Sequence, residues 1–394
     1  MSRALAGLRV LDVTQVMAGP FCAMMLADMG ADVIKVEPPA GDVTRRWKGA
    51  QGTESPPYNA VNRGKRGMVL NLKHADGRRI FRDLALKADV LIENYRPGVM
   101  KEFGLDYDTL AREHPGLVYC SVSGYGQTGP YAQKGGFDLV AQGMSGLMSV
   151  TGEPGGAPVK CGVPITDLGA GLFALSGILA ALYHRSATGQ GQHVDTSLLE
   201  AGIALSVWEA TEYFTDGEVP GPLGSAHRMN APYQAIRCAD GHITLGAANE
   251  QTFRLFCQVC GHPEWTTLPD FATAALRVQN RAALIALIEG VTARLTRADL
   301  LTQMDAAGVP GGPILNYAEV FADPHVRARA MVQEVEHPTL GSLRTLGSPL
   351  KLSATPVQAG QPAPLLGQHT ESILGEIGLD PGAVQQLKAA GVIG

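Results

Sequence analysis

The chain has few charged residues and few cysteines for its length, and each shortage excludes a class of protein. Charged residues make up 18% of the 394 positions, and the formal net charge is −5. The sequence therefore lacks the excess of lysine and arginine with which nucleic-acid-binding proteins pair with phosphates. Six cysteines in a chain of this size do not amount to the disulfide framework of small secreted proteins. We predict no nucleic-acid partner and expect a reducing compartment.

The sequence also has no apolar run of membrane-spanning length. Its most apolar stretch, residues 168–183, contains 16 residues, whereas a helix that crosses a bilayer needs about 20. We predict a buried helix there and no membrane partner. From Met1 the chain leads into the strand-like run 8–13 without the basic and apolar segments of a secretory signal. We therefore expect a cytoplasmic protein.

A metal site is not predicted. Cys257 and Cys260, followed by His262, have the spacing of half a zinc site, but no second cysteine pair or close histidine pair completes four ligands. Both cysteines lie among apolar residues of a helix-like segment, which is typical of small buried side chains. We also expect no permanently bound cofactor.

What the chain does have is an alternation of strand-like and helix-like runs over its first two-thirds. The short apolar runs lie at 8–13, 33–36, 68–72, 90–92 and 117–122. Strands separated by helices of this length form a parallel sheet through right-handed crossovers. The predicted fold class is α/β, with a Rossmann-like parallel sheet in a large domain plus a smaller α+β domain.

Changes in composition suggest where these domains begin and end. We predict that residues 1–215 form the N-terminal part of the large domain, and that 216–232, rich in glycine and proline, is a linker. Residues 233–330 would form the small domain, which opens with a hairpin turned at Asp240-Gly241. Residues 331–394 would return to the large domain.

The first loop of the predicted sheet argues against a dinucleotide-binding protein. A Gly-x-Gly-x-x-Gly turn is expected where residues 15–20 read Gln-Val-Met-Ala-Gly-Pro. Glu37 does end the second strand, at the position of a ribose-binding acid. Without the glycines, however, the backbone offers no cradle for a pyrophosphate.

Asp167 is the most informative carboxylate. It lies between a proline-containing loop and the apolar helix, at an N-cap or first-turn position where free backbone N–H groups and the helix dipole favour an anion. Most aspartates at such positions cap a helix and do nothing else. Small residues at 162 and 169–171 would let a ligand approach, and the apolar helix would keep the site dry. These two features favour a catalytic role.

Several ordered blocks resemble the class III CoA-transferase family, which includes formyl-CoA, carnitine-CoA and dicarboxylate CoA-transferases. The blocks span nearly the whole chain and lie at residues 8–12, 18–20, 30–37, 41–45, 94–98, 123–126, 188–192 and 364–370. Residues 227–234 and 246–250 are most similar to the dicarboxylate branch, which includes succinyl-CoA:glutarate CoA-transferases. The resemblance implies an enzyme that moves CoA from an acyl-CoA, with succinyl-CoA as a candidate donor, to a small carboxylic, in particular a dicarboxylic, acid.

The resemblance also implies the mechanism and the assembly. The aspartate at the position of Asp167 is the nucleophile of the family, and an aspartyl-CoA thioester is the intermediate. Covalent catalysis of this kind divides one difficult exchange into easier steps. Members of the family form interlocked homodimers, so a homodimer is expected here.

The resemblance assigns residues to CoA as well. The matching positions are Met17, Ala18, Arg45, Leu70, Asn71, Leu72, Lys73, Asn94, Tyr95, Arg96, Phe137 and Asp138. Arg45, Lys73 and Arg96 would supply positive charge for the phosphates. Pro38 stands where family members often carry an arginine, which puts the contact at that position in doubt.

Two positions are assigned to the substrate acid and the thioester. Arg228, or His227 beside it, would bind the distal carboxylate of a dicarboxylate. Gly246, in the small-residue segment 246–249, would close over the thioester, although an ordinary turn at a strand end has the same composition.

Two other functions stay open. Acyl-CoA epimerases of the same fold need a proton-shuttling histidine immediately before an aspartate, and here Phe137, which cannot exchange a proton, precedes Asp138. Asp138 would then orient groups near Asp167 or cap the helix that follows it. A non-catalytic CoA-binding protein is the third reading.

Overall fold

The computed structural model describes residues 3–47 and 55–394, and the chain divides into two compact units. The first comprises Met1–Leu147, Lys160–Asp216 and Pro324–Gly394; the second comprises Met148–Val159 and Gly217–Asp323. The segment 148–159 thus belongs to the second unit, whereas we predicted it in the large domain. One reason is a hydrogen bond of 2.8 Å from the Gly224 amide to the Gly152 carbonyl, which ties this segment to the predicted linker.

A six-stranded parallel sheet forms the centre of the first unit. Its strands are β1 (Arg9–Asp12), β2 (Asp32–Glu37), β3 (Arg66–Val69), β4 (Val90–Glu93), β5 (Val118–Ser123) and β6 (His193–Ser197). They lie in the order β3-β2-β1-β4-β5-β6, and each neighbouring pair is parallel. This confirms the predicted α/β fold. The order reverses between β1 and β4, and in open α/β sheets ligands bind at such a switch point, beyond the carboxyl ends of the strands.

Helices cover both faces of this sheet. As far as Asp216 the helices are α1 (Ala18–Asp28), α2 (Pro56–Asn62), α3 (Ala75–Ala85), α4 (Val99–Glu102), α5 (Tyr107–Ala111), α6 (Asp138–Met144), α7 (Leu147–Val150), α8 (Ile165–Thr188), α9 (Leu198–Leu205) and α10 (Val207–Asp216), with a 3₁₀ turn at Val43–Arg46. Of these, α7 lies in the second unit except for its first residue. One apolar core joins the sheet to α1 and α8, and a second core fills the opposite face with α3 and the C-terminal helices. Strands buried on both faces read as continuous apolar runs, which is why the sequence revealed them.

Helix α8 has 24 residues and extends beyond the run 168–183 at both ends, so by length and composition alone it could cross a membrane, contrary to the expectation from the sequence. Of its most apolar window, 44% is buried. Its buried residues, among them Ala170, Ala174 and Ile178, belong to the core shared with α1. That packing is typical of the central helix of a globular protein. The other face of α8 carries exposed apolar side chains, including Phe173 and Tyr183.

The second unit contains a three-stranded antiparallel sheet and its own core. The strands are β7 (Tyr233–Cys238), β8 (Gly241–Gly246) and β9 (Gly311–Pro313), in that order. The helices are α11 (Glu250–Val259), α12 (Ala274–Gln279), α13 (Arg281–Thr292), α14 (Arg297–Ala307) and α15 (Tyr317–Ala322), with a 3₁₀ turn at Pro263–Thr267. The hairpin turns at Asp240-Gly241 as expected. Cys257 and Cys260 lie in the core, where burial raises the pKa of each thiol to about 12.

The chain then completes the first unit. It forms α16 (Pro324–Ala328), the antiparallel hairpin of β10 (Val332–His337) and β11 (Gly341–Leu346), and helices α17 (Thr370–Glu376) and α18 (Pro381–Ala389). Ile373 and Leu374 of α17 are buried in the core beneath the sheet. The Gly67 amide donates to Nδ1 of His369, and the His369 amide donates back to the Gly67 carbonyl, so the tail is fastened to the edge strand β3.

Candidate active site

A cavity of about 340 Å³ opens in the first unit beyond the carboxyl ends of β1, β4 and β5. This is the switch point of the sheet, where a ligand site is expected. The cavity is lined by residues 15–18, 94–97, 122–124 and 134–137 together with Asp167 and Leu198. It brings together Asp167 and six of the residues predicted for CoA: Met17, Ala18, Asn94, Tyr95, Arg96 and Phe137.

Asp167 lies in the first turn of α8 and does not cap it, because Pro164 occupies the N-cap. Burial raises the pKa of the Asp167 carboxyl to about 7, and the nearby charge of Asp138 raises it as well. We expected the helix N-terminus to keep this carboxylate ionised at neutral pH. Desolvation and the charge of Asp138 instead favour the protonated form of this carboxyl.

Asp138 begins α6 and ties that helix to the start of α8. Its Oδ1 accepts hydrogen bonds from the Thr166 amide at 3.0 Å and the Thr166 hydroxyl at 2.8 Å, and its Oδ2 accepts one from Nε2 of Gln142 at 2.7 Å. Phe137 is the N-cap residue of α6, and its side chain makes no capping hydrogen bond. That side chain lines the cavity and is 74% exposed. Asp138 therefore orients the residue next to Asp167, one of the two roles considered for it.

Met17 and Ala18, at the start of α1, line the same cavity. Asn94 fixes the approach to α1, since its Oδ1 accepts from the Gln15 amide and its Nδ2 donates to the Gln15 carbonyl, both at 2.8 Å. Within the described chain, the amides of Met17 and Ala18 donate to no protein acceptor. Free amides at a helix N-terminus are suited to bind negative charge.

Two cations complete the cavity lining. Arg96 follows β4, and one guanidinium nitrogen lies 3.3 Å from where a Cβ on Gly135 would stand. Lys134 lies with its ammonium 3.8 Å from the centre of the Tyr131 ring. Lys134 was not predicted as a site residue. Its position within the glycine-containing segment before Phe137 was the one available signal.

Arg45 does not line this cavity. Its guanidinium donates to both oxygens of Glu37 at 2.7 Å, to the Tyr58 hydroxyl at 2.5 Å and to the Pro364 carbonyl at 2.9 Å. The Glu37 side chain is fully buried. We predicted that Arg45 supplies charge for a phosphate, but the structure instead places that charge against the glutamate at the end of β2.

The segment predicted as one wall of the CoA site follows β3, two strands away from β1. Leu70 and Leu72 are buried, whereas Lys73 is exposed. Asn71 accepts a hydrogen bond from the Lys73 amide at 3.1 Å. These four residues do not line the cavity that contains Asp167, so their assignment to CoA stays a prediction.

The residues predicted for the substrate acid belong to the second unit. Arg228 donates to the Gly221 carbonyl at 2.7 Å, and Arg281 donates to the Arg228 carbonyl at 3.2 Å. Burial, together with the charge of Arg228, lowers the pKa of Arg281. Gly246 ends β8, and its amide donates to the Pro310 carbonyl at 2.9 Å. Asn249 caps α11, which is the ordinary structural role of a strand-end turn.

Comparison with known proteins identifies the family. The model of CoA-transferase family III matches residues 5–370. The chain belongs to this family. The resemblance of the sequence blocks is thereby confirmed, and so is the prediction of a class III CoA-transferase.

Relatives of this family III CoA-transferase include several named enzymes. The mouse succinyl-CoA:glutarate CoA-transferase is 41% identical over 394 residues, which cover 99% of this chain and 90% of that protein. The succinate–glutarate CoA-transferase of Agrobacterium fabrum is 40% identical, covering 95% of each chain. The succinyl-CoA:mesaconate CoA-transferase of Haloarcula marismortui is 39% identical, covering 96% of this chain and 98% of the other.

Solved structures agree with the fold. A CAIB/BAIF family protein from Brucella suis superposes with a TM-score of 0.85 at 38% identity, covering 96% of this chain and all of that one (100%). Rv3272 from Mycobacterium tuberculosis also gives a TM-score of 0.85, at 27% identity, covering 94% and 99% of the two chains. The fold of this transferase is therefore that of known family members.

Proposed function

We propose that this CoA-transferase moves CoA from an acyl-CoA, with succinyl-CoA as candidate donor, to a dicarboxylic acid through a thioester on Asp167. The observation that carries the proposal is one cavity lined by a desolvated carboxylate, the free amides of Met17 and Ala18, and the cations of Arg96 and Lys134. Relatives named for glutarate and mesaconate support a dicarboxylic acceptor.

The first half of the reaction loads CoA onto the enzyme. A carboxylate oxygen of Asp167 attacks the thioester carbonyl carbon, the carbon–sulfur bond breaks, and CoA leaves as a thiolate. The product is a mixed anhydride. The thiolate then attacks the aspartyl carbonyl carbon, which releases the donor acid and leaves CoA attached to Asp167.

The second half reverses these steps with a different acid. The acceptor carboxylate attacks the aspartyl thioester, CoA leaves again as a thiolate, and a new anhydride forms. Attack of the thiolate on the acceptor's carbonyl carbon then yields the product thioester and frees Asp167. No net proton or electron transfer is required, so the residues at the cavity need only bind charge and orient the reactants.

Each attack creates an oxyanion beside Asp167. The amides of Met17 and Ala18 are candidate donors to this oxygen, and one such donor is typically worth about 3 kcal/mol in the transition state. Arg96 and Lys134 would attract the phosphates of CoA by charge-assisted hydrogen bonds. The raised pKa of Asp167 reflects its desolvation, and a poorly solvated carboxylate is the stronger nucleophile when it is ionised.

For the second carboxylate of the acceptor we keep Arg228 as the proposed ligand, with His227 as the alternative. A guanidinium can bind a carboxylate through two parallel hydrogen bonds. Arg228→Ala should raise the KM of a dicarboxylic acceptor and leave that of a monocarboxylic acceptor unchanged. Equal use of both acids by the unaltered enzyme, with no change in the variant, would contradict this assignment.

A homodimer is also proposed. Apolar side chains are exposed along α8, α9 and α10, including Leu172, Phe173, Tyr183, Ile203, Trp208 and Phe214. Helix α10 has no buried residue. Exposed apolar surface of this extent is typical of a protein–protein interface, and light scattering after size-exclusion chromatography will show whether the mass is twice 41.5 kDa.

All six cysteines are free thiols, which supports the proposed cytoplasmic location.

The transfer reaction is tested with a panel of acyl-CoA donors and isotope-labelled acids, followed by mass spectrometry of the new CoA esters. Asp167→Ala should lose turnover but still bind CoA, and hydroxylamine should trap the activated carboxyl at Asp167 in the unaltered enzyme. Deuterium uptake at the α-carbon of a 2-methylacyl-CoA without transfer would indicate the epimerase instead. CoA binding without either reaction would indicate a binding protein.

A further inference from the structure

Val16 adopts a backbone conformation that its side chain disfavours. Its φ is 70°, in the left-handed region where the branched Cβ of valine crowds its own backbone. Among the described residues, Ala330 is the other non-glycine residue with positive φ. A conformation of this kind persists where the surrounding structure imposes it, and it is often found at functional sites.

A buried ion pair holds the backbone at Thr14 and at the amide of Val16. Oδ2 of Asp42 accepts hydrogen bonds from the Val16 amide and from Nζ of Lys35, both at 3.3 Å. The same Nζ donates to the carbonyl of Thr14. Both charged side chains are fully buried. Oδ1 of Asp42 accepts from the amide and the hydroxyl of Thr44, which fixes the orientation of the carboxylate.

Side chains also fix the backbone of Thr14 and Gln15, the two residues before Val16. Oδ1 of Asp12 accepts hydrogen bonds from the amide of Thr14 at 3.0 Å and from its hydroxyl at 2.5 Å. The side chain of Asn94 forms hydrogen bonds with the backbone amide and the backbone carbonyl of Gln15. The amides of three successive residues, 14–16, therefore donate to side chains and not to the regular backbone ladder. A buried ion pair is a weak source of stability, because desolvation offsets the attraction. A second buried pair beneath the same loop joins Asp12 to Lys65. We therefore attribute both pairs to the backbone conformation that they impose on residues 14–16, and not to a gain in stability.

That geometry is directed at the cavity. Val16, Met17 and Ala18 line it together with Asp167. The start of α1 also packs directly on α8, since a Cβ at Gly171 would lie 2.7 Å from the Ala18 carbonyl oxygen. The turn at Val16 thus determines where the free amides of α1 lie relative to the first turn of α8.

We propose that Lys35 and Asp42 are positioning residues: their buried pair holds Val16 in the left-handed conformation and thereby fixes the Met17 and Ala18 amides beside Asp167 for acyl transfer. Neither side chain lines the cavity, so both act through Val16. The kinetic consequence rests on the proposed transfer reaction, whereas the conformation at Val16 can be measured without it.

The test uses the full chain and removes both charges together. Lys35→Met/Asp42→Asn leaves no unpaired buried charge. Hydrogen exchange of the Val16 amide should become faster by about tenfold or more, because its acceptor is no longer a carboxylate held by Lys35. The single-turnover rate of acyl transfer to Asp167 should fall by about tenfold or more. Adding Val16→Gly to the double variant should raise this single-turnover rate about threefold, since glycine adopts this φ without steric cost.

Ala330→Gly is the matched control, because it relieves the other positive φ at a distance in sequence and outside the cavity. It should leave the rate unchanged and give no recovery in the double variant. Unchanged hydrogen exchange of the Val16 amide, or equal recovery by Ala330→Gly, would overturn the proposal.

A second measurement covers the case in which the double variant does not fold. In the otherwise unaltered chain, Val16→Gly should have a higher Tm than Val16→Ala, the reverse of the usual order for these residues. A higher Tm for Val16→Ala would overturn the proposal. If the unaltered enzyme transfers CoA to no acid, the proposed function fails, while the exchange and Tm measurements still decide whether the pair holds Val16.

Discussion

Asp138 holds Thr166 by two hydrogen bonds, from the amide at 3.0 Å and from the hydroxyl at 2.8 Å, and the next residue along the helix is Asp167. This arrangement gives Asp138 two opposing effects on the nucleophile. It orients the first turn of α8, and its negative charge disfavours the ionised form of Asp167. The two effects can be separated by substitution.

The first prediction concerns pH. Because Asp167 reacts as the carboxylate and its pKa is raised to about 7, kcat/KM for the acyl-CoA should rise with pH to a midpoint near 7. Asp138→Asn removes the repulsive charge, so the midpoint should move to lower pH. It should not reach the ordinary value of aspartate, since burial is the larger cause of the shift. The pH dependence of the initial rate at low acyl-CoA concentration measures this.

Thr166→Val is the matched control for Asp138→Asn. It removes the hydroxyl that Asp138 accepts from but keeps the charge, so activity should fall without a shift of the midpoint. An identical midpoint in Asp138→Asn and the unaltered enzyme would show that Asp138 does not act on the ionisation of Asp167.

The second prediction concerns stability. A carboxyl whose pKa is higher in the folded state than in the unfolded chain favours the protonated form, so it destabilises the fold as pH rises from about 4 to 7. Asp167→Asn removes this penalty. The variant should match the unaltered protein in free energy of unfolding near pH 4 and should be more stable above pH 7. The expected difference is about 2–4 kcal/mol, because each unit of pKa shift corresponds to about 1.4 kcal/mol and partial exposure reduces the total. Urea unfolding at pH 4 and pH 8 measures the difference.

Asp240→Asn should behave in the opposite way. Asp240 accepts a hydrogen bond from the Arg297 amide at 2.7 Å, and this bond is the main cause of a lowered pKa. Its contribution is present above the pKa of the unfolded chain and is lost as pH falls. The variant should therefore be less stable than the unaltered protein at pH 8. A pH-independent difference for Asp167→Asn would contradict the raised pKa.

The sequence predicts the first unit well for a physical reason. Strands β1 to β5 are buried on both faces, so each contains an apolar run between helical segments, and the order of these segments determines the crossovers. Asp167 was found because it follows a proline-containing loop and matches a family motif. The strength of its pKa shift could not be predicted, because it depends first on burial and then on the charge of Asp138, which lies 29 positions away (167 − 138) and approaches only through the packing of α6.

The contacts of Arg45 and Val16 could not be predicted from the sequence for the same reason. Arg45 is eight positions from Glu37 and 319 from Pro364, and no local pattern reveals that these groups meet. Val16 has an ordinary sequence context, and the residues that contact it and the two residues before it include Lys35 of β2, Asp42 and Asn94, which follows β4. Side chains whose partners are distant in sequence were therefore assigned by resemblance alone, and for Arg45 the resemblance suggested a phosphate contact that the structure does not place at the cavity.

The third prediction tests the contact between α1 and α8. An alanine in a helix is ordinarily more stable than glycine by about 1 kcal/mol. At Gly171, however, the added Cβ would lie 2.7 Å from the Ala18 carbonyl oxygen and 3.0 Å from the Phe21 ring. Gly171→Ala should therefore lower both the Tm and kcat by separating the start of α1 from Asp167.

Gly290 of α13 offers the control for Gly171, because no atom lies within 4 Å of the position of an added Cβ. Gly290→Ala should raise the free energy of unfolding by about 1 kcal/mol and leave kcat unchanged. Normal kcat in a folded Gly171→Ala variant would show that the approach of the two helices is not critical for transfer.

The fourth prediction distinguishes the arginines that the sequence grouped together. Arg96 lines the cavity and pairs with no carboxylate in the described chain, so Arg96→Ala should weaken CoA binding by about tenfold, the loss of one charge-assisted contact, with little change in Tm. Arg45 neutralises the buried Glu37, and removing one partner of a buried pair costs about 3–5 kcal/mol. Arg45→Ala should therefore lower the stability strongly.

The double variant Glu37→Gln/Arg45→Met separates the two roles of Arg45, because it removes both charges and leaves neither partner buried alone. It should fold and bind CoA, measured by calorimetry, with an affinity within about threefold of the unaltered enzyme, since no phosphate contact is lost. Should this folded variant lose as much affinity as Arg96→Ala, the phosphate contact first assigned to Arg45 would be correct, and the guanidinium would have to exchange Glu37 for CoA when the substrate binds.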